Sequence, residues 1–112
     1  MTRMPVVTLI NAGTASASEA LAGALQDHGR SLTVGERTFG KGTIQRVRPW
    51  NDSGSVMLFF TTARMFTPFG RTAQLTGLEP DLEVQARQDD QPGRRMVLRE
   101  EDLFPTSLSA KA

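Results

Sequence analysis

Short apolar runs and one periodic apolar stripe dominate the beginning of the chain. Residues 5–10 form an apolar, mostly β-branched run broken by Thr8, which predicts a buried strand. After a turn that contains Gly13, apolar positions recur at three- and four-residue spacing, which predicts a helix over about residues 16–28. The stripe consists of Ala17, Ala20, Leu21, Ala24 and Leu25. Gly29 follows where the C-terminus of a helix favours a left-handed residue.

The later apolar segments are short and separated by turn formers, which predicts strands rather than helices. These predicted strands are residues 31–35, 43–47, 55–62 and 82–84. The turn formers of residues 49–54 place the middle two at hairpin distance, so they should pair antiparallel. The order strand, helix, strand and then further strands predicts an α/β domain with a mixed sheet and a crossover helix after the first strand. We expect this domain to occupy residues 1–84, and residues 85–112 to form a polar linker and a partly helical or disordered tail.

The composition excludes several classes of function but does not point to a particular one. The 112 residues suffice for one small domain. Thirteen basic and twelve acidic residues give a net charge of +1 without a basic stripe, so nucleic acid is not an expected partner. Cysteine is absent and one histidine is present, which excludes thiolate chemistry and a multi-histidine metal site. No apolar run approaches the ~20 residues of a membrane-spanning helix, and no cofactor is expected.

Ser16 opens the predicted helix and has two interpretations. Ser16 and Glu19 fit the Ser-x-x-Glu capping box, so Ser16 can serve simply to cap the helix. Alternatively, a serine that follows a strand and a turn can be a nucleophile. An oxyanion formed there would meet the free N–H groups of the helix, with the N–H of Ala17 as the natural donor. His28 cannot assist within this helix, because twelve residues of ~1.5 Å rise separate it from Ser16 by ~18 Å.

Lys41 lies between two glycines, in a loop twenty-five residues after Ser16. Residues 35–41 fit most of a phosphate-binding loop, but Gly42 replaces the required Ser or Thr and a strand follows instead of a helix. A loop lysine is usually just an exposed cation. However, a serine next to a lysine that is kept neutral forms a nucleophile without histidine. Gln45 lies four residues on, and in a strand it would share a face with Lys41 and could orient its amine.

These motifs together resemble the carboxy-terminal processing peptidases, also called tail-specific proteases. The resemblance is carried, in order, by VVTLINAGTASASE (6–19), AGALQD (22–27), VGERTFGKG (34–42), TPFGR (67–71) and GLEPD (77–81). It implies a ClpP/crotonase-like core and a serine endopeptidase that cleaves proteins near their C-termini. It also implies that Ser16 is the nucleophile, Lys41 the general base and Gln45 the assisting amide, and that the N–H of Ala17 is an oxyanion donor.

The same resemblance implies that this chain is the C-terminal part of a catalytic core. The expected partners are proteins or peptides with accessible C-termini, and the expected location of the parent protein is periplasmic or otherwise extracytoplasmic. Alone, the chain should be an inactive or nearly inactive piece that forms homo-oligomers through exposed strands. Two alternatives remain: a non-catalytic peptide-binding or scaffolding domain of the same fold, and an acyl-CoA enzyme of the crotonase type.

Overall fold

The computed structural model describes residues 4–84 and 98–103. Five strands and two helices lie in these ranges. In chain order they are β1 (Val7–Ile10), α1 (Ala17–Asp27), β2 (Leu32–Gly35), β3 (Thr43–Pro49), β4 (Met57–Arg64), β5 (Leu82–Glu83) and α2 (Glu100–Leu103). Each of the six elements up to β5 overlaps a predicted one, and the bounds differ by a few residues. The protein is therefore α/β, as the sequence predicts.

Two separate sheets contain the strands of the described residues. β1, β2 and β5 form a parallel sheet in that order, with Val7 opposite Leu32 and Val34 opposite Leu82. β3 and β4 form an antiparallel pair, as the turn formers between them predict. The sequence predicted one mixed sheet, whereas the parallel and antiparallel pairings are segregated here. Helix α1 connects the parallel neighbours β1 and β2, which an antiparallel hairpin turn could not join.

Helix α1 ends where the sequence predicts. Its last residue is Asp27, and exposed His28 forms the C-cap. Gly29 follows with φ of 59°, a value that glycine adopts without steric cost. The N–H of Arg30 then donates to the carbonyl of Leu25 at 2.8 Å, which satisfies a carbonyl of the last turn.

The buried face of α1 is not the predicted apolar stripe. Its buried residues are Glu19, Ala22, Gly23 and Asp27, whereas Leu21 is 63% exposed. The two carboxylates find fixed hydrogen-bond donors inside the domain, and small Ala22 and Gly23 allow close packing. Ala22 joins Ile10, Ala73 and Leu78 in the apolar core. Helix α1 thus turns a face with two carboxylates towards the interior of the domain.

Candidate functional site

Ser16 lies at the junction of a strand, a turn and a helix. After β1 ends at Ile10, the side chain of Asn11 accepts the N–H of Gly13 at 2.9 Å, and the N–H of Thr14 donates to the carbonyl of Asn11 at 2.9 Å. Ser16 has φ of 56° and ψ of −120°, a conformation that non-glycine residues rarely adopt. Such strain costs on the order of 1–3 kcal/mol and concentrates at functional sites. Some hydrolases place their nucleophile on a strained turn of this kind between a strand and a helix.

The start of α1 is capped mainly by Glu19. Ser16 and Glu19 form the capping box that the sequence indicates, and the N–H of Ser16 donates to Oε2 of Glu19 at 2.8 Å. Ala17 is the first residue of the helix, and the N–H groups of a first turn lack partners within the helix. The capping box therefore fixes the start of α1, as the capping interpretation of Ser16 predicts.

Glu19 connects the serine turn to the lysine loop. Its side chain is 1% exposed. Oε2 accepts the N–H of Ser16 at 2.8 Å and the N–H of Lys41 at 2.9 Å. Oε1 accepts the hydroxyl of Thr38 at 2.5 Å and the N–H of Gly40 at 2.8 Å. The N–H groups of Ser16 and Lys41 therefore donate to the same oxygen, at 2.8 Å and 2.9 Å. The two backbone nitrogens can be no farther apart than the sum of these distances, 5.7 Å.

Several further contacts fix the backbone on both sides of Lys41. Gly40 has φ of 100°, which a side chain would oppose, and its carbonyl accepts the N–H of Leu75 at 2.8 Å. The N–H of Gly42 donates to Oε1 of Gln74 at 2.9 Å, and its carbonyl accepts the N–H of Met65 at 2.7 Å. The glycines around Lys41 thus belong to a tightly bent loop, as the sequence predicts, and the lysine itself is half-buried.

Ser16 and Lys41 line one cleft of about 230 Å³, a volume that includes its open mouth. The other lining residues come from α1, from the lysine loop and from the segment after β4. They are Glu19, Ala20, Gly42, Met65, Phe66, Thr67, Arg71 and Ala73. The cleft combines an apolar wall with a hydroxyl, an amine and a guanidinium. This combination is suited to a peptide chain and to acid–base chemistry at its carbonyl.

Gln45 does not line this cleft. It is an exposed residue of β3 opposite Thr61. The sequence argument placed Lys41 and Gln45 on one face of a strand, but β3 begins only at Thr43. His28 is exposed and also lies outside the cleft.

A second buried carboxylate fixes the far wall of the cleft. Asp27 accepts the N–H of Phe69 at 2.8 Å and is paired with the guanidinium of Arg71. Burial raises the pKa of Asp27, but the nearby Thr67 hydroxyl, the Phe69 N–H and the Arg71 charge outweigh it and hold the pKa below its ordinary value of 3.8. Since Thr67 and Arg71 both line the cleft, Asp27 holds the turn that carries them against α1.

The sequence interpretation missed most of the residues that build this framework. Glu19 was considered only as a helix cap, and Thr38, Asp27 and Gln74 were not singled out. A possible signal for Glu19 and Asp27 is their spacing of eight residues, which places two carboxylates on one helix face. Thr38 and Gln74 carry no comparable pattern, because their partners come from distant parts of the chain. Among the described residues, no group of His, Cys, Asp or Glu is arranged to hold a metal ion, and no helix is long and apolar enough to cross a membrane.

Comparison with known proteins gives consistent matches. The sequence profile of peptidase family S41 matches residues 1–84. The chain is 47% identical over 81 residues to a carboxy-terminal-processing protease of Bartonella bacilliformis, covering 72% of this chain and 18% of that protein. It is 51% identical over 80 residues to a chloroplastic C-terminal processing peptidase of Tetradesmus obliquus, covering 71% of this chain and 17% of that protein.

Solved structures agree with these matches. The structure of a photosystem II D1 C-terminal processing protease superimposes with a TM-score of 0.66 at 48% identity, covering 74% of this chain and 21% of that one. This chain thus spans about a fifth of the length of the proteins that it matches. The names of these relatives describe proteases that process carboxyl termini.

Proposed function

Because the chain belongs to peptidase family S41, we propose that it carries the nucleophile and the general base of a serine endopeptidase that cleaves proteins near their C-termini. One observation supports the assignment most directly. A strained Ser16 and a half-buried Lys41 line the same cleft, and one Glu19 oxygen holds their backbone nitrogens within 5.7 Å, the sum of 2.8 Å and 2.9 Å. A Ser-Lys dyad requires the two side chains to reach one another, and the shared cleft and the short backbone separation support that assignment.

In the proposed mechanism, the neutral amine of Lys41 takes the proton from Oγ of Ser16. The alkoxide attacks a peptide carbonyl, and the N–H of Ala17 stabilises the resulting oxyanion. Lys41 then gives the proton to the leaving amine, and water hydrolyses the acyl-enzyme. Gln45 assists by orienting the amine of Lys41. Its exposed position means that this role requires parts of the enzyme beyond the described residues.

We further propose that residues 1–84 form the C-terminal part of a ClpP/crotonase-like core and that residues 85–112 form a separate tail. The family match to residues 1–84 supports this division. The match to about a fifth of each relative supports a parent enzyme with a longer core. The parent would act on protein or peptide substrates with accessible C-termini. Relatives in chloroplasts and bacteria are consistent with an extracytoplasmic location for the parent.

The dyad can be tested with a fluorophosphonate reagent, which reacts covalently with activated serines. We expect mass spectrometry to find the adduct on Ser16, and we expect Ser16→Ala and Lys41→Met to abolish it. Ser18→Ala and Arg46→Met are matched controls, because they remove an exposed hydroxyl and an exposed cation from neighbouring positions. Labelling that persists in Lys41→Met at the wild-type rate would exclude Lys41 as the base.

Peptidase turnover by the chain alone should be very low. An oxyanion hole needs more than one donor, and the loss of one donor costs on the order of 10²–10³ in kcat. The shallow cleft also offers few walls for a substrate. Efficient cleavage of an unstructured C-terminal tail by the purified chain, abolished by Ser16→Ala, would contradict this expectation.

We also propose that the isolated chain self-associates. Every residue of β4 and nearly all of β3 are exposed, including Phe59 (68%) and Val47 (46%). Exposed apolar strands recruit further strands. Light scattering should therefore give a mass above the 12.2 kDa of the monomer at high concentration. A monomer that persists on concentration would refute the proposal.

A further inference from the structure

We propose that Glu19 is a positioning residue of the peptidase site, whose ionised carboxylate sets the spacing between the nucleophile turn and the lysine loop. The proposal rests on the proposed Ser-Lys function and adds a requirement to it. Ser16 and Lys41 come from different loops, and no covalent constraint fixes their separation. Glu19 supplies that constraint, because both of its oxygens bind the lysine loop and one also binds the nucleophile.

The donors around Glu19 require two acceptor oxygens. Three are backbone N–H groups, from Ser16, Gly40 and Lys41, and backbone N–H groups cannot become acceptors. The fourth is the Thr38 hydroxyl, which already accepts the N–H of Leu78 at 2.7 Å. Each carboxylate oxygen therefore faces two donors, and each faces at least one backbone N–H.

No neutral side chain of the same size can satisfy this arrangement. Glutamine in either orientation turns an NH₂ group towards a backbone N–H, so at least one buried donor is left without an acceptor. In one orientation the loss falls on Gly40, and in the other on both Ser16 and Lys41. Replacement of Glu19 should therefore loosen the two loops, in addition to its cost in overall stability.

The Thr38 hydroxyl links this cluster to the core. Thr38 is fully buried, its N–H donates to the carbonyl of Leu78 at 3.1 Å, and Leu78 is 3% exposed. Glu19 is thus anchored at one end to the helix that follows the nucleophile and at the other to a core residue. A displacement of about 1 Å at a catalytic pair can cost on the order of 10² in rate, so a small relaxation here should be measurable.

The experiment compares Glu19→Gln with Thr33→Val in the full chain. Thr33 is also 1% exposed, and its hydroxyl binds Asp81 and Gln26, away from the cleft. Both variants should lose thermal stability. At a temperature where both remain folded, Glu19→Gln should label with the fluorophosphonate on the order of 10²-fold more slowly, while Thr33→Val labels at the wild-type rate. Equal labelling of Glu19→Gln and wild type would overturn the proposal.

A second measurement does not depend on labelling. The amide protons of Ser16, Gly40 and Lys41 donate to a carboxylate. Because Glu19→Gln removes its charge, their NMR resonances should move upfield, most strongly for the donors that face the new NH₂ group, and should stay in place in Thr33→Val. If the wild type does not label, the proposed dyad fails in this chain, and unchanged amide resonances in Glu19→Gln would then overturn the role of Glu19 separately.

If Glu19→Gln does not fold, Thr38→Val should slow labelling and shift the Gly40 resonance, whereas Thr38→Ser, which keeps the hydroxyl, should do neither. Equal behaviour of the two Thr38 variants would refute the role.

Discussion

Replacement of Gly23 by alanine should destabilise the chain, although alanine is the better helix former. A Cβ at position 23 would lie 2.7 Å from Cγ2 of Thr67 and 3.3 Å from Cδ1 of Leu78. Carbon atoms pack best at about 3.5–4.0 Å, so the contact with Thr67 is too short by roughly 0.8 Å. The Leu78 terminus can rotate away. Thr67 cannot retreat easily, because its N–H and carbonyl are tied to Arg71 and Gly70 at 2.7 and 2.8 Å.

The sign of the effect follows from two magnitudes. A glycine-to-alanine exchange inside a helix gains about 0.8–1.0 kcal/mol. Overpacking of a well-filled site costs about 1–3 kcal/mol. The net expectation is a loss of roughly 1 kcal/mol, or a decrease of about 4–8 °C in Tm for a domain of this size. The assay is thermal and urea unfolding followed by circular dichroism.

Two controls separate the clash from helix propensity. Leu21 is 63% exposed in the same helix, so the difference between Leu21→Gly and Leu21→Ala measures the propensity gain alone. Thr67→Ser removes the methyl group that the added Cβ at position 23 would meet, so the double variant G23A/T67S should recover the loss and show strong coupling. A higher Tm for Gly23→Ala than for wild type, or additive effects in the double variant, would refute the reasoning.

Three further outcomes are expected. The pKa of Asp27 is below 3.8 in the folded chain, so its contribution to stability is present above that pH and is lost as the pH falls through the folded pKa. Asp27→Asn should therefore reduce the loss of stability at acidic pH. An unchanged loss at acidic pH would contradict the lowered pKa. Leu78→Ala should cost about 2–5 kcal/mol in urea unfolding, since Leu78 is 3% exposed, and a cost below about 1 kcal/mol would show that the site collapses. Arg99→Gln should increase amide hydrogen exchange around the lysine loop. The Arg99 guanidinium donates to the carbonyl of Thr38 at 2.9 Å, and the neighbouring N–H of Glu100 donates to the carbonyl of Phe39 at 3.2 Å. Exchange equal to that of the wild type would mean that this segment does not hold the loop in place.

Local patterns predict the elements and the two central residues of the candidate site. The strand, turn and helix around Ser16 follow from β-branched residues, Gly13 and a capping box, all of which act over a few residues. Lys41 is marked by its flanking glycines, one of which adopts φ of 100°. The alternation argument for Gln45 does not apply, because Lys41 lies in the loop before β3, which begins at Thr43. The predicted tail of residues 85–112 lies mostly outside the described residues, and the prediction of two parts stays untested.

What the sequence alone determined is thus the order of elements, the α/β class, the candidate nucleophile and base, and the family. These follow from short-range periodicity and from several motifs that occur in order along the chain. Tertiary structure alone decided which face of α1 is buried, because the burial of Glu19 and Asp27 depends on donors supplied by residues 38–41 and 69–71. It also decided that Ser16 and Lys41 line one cleft, since a carboxylate with four converging donors holds together two loops that no local pattern connects. Buried polar groups are stabilised by partners from distant parts of the chain. The sequence of the helix alone does not contain those partners and therefore predicts that its carboxylates face the solvent.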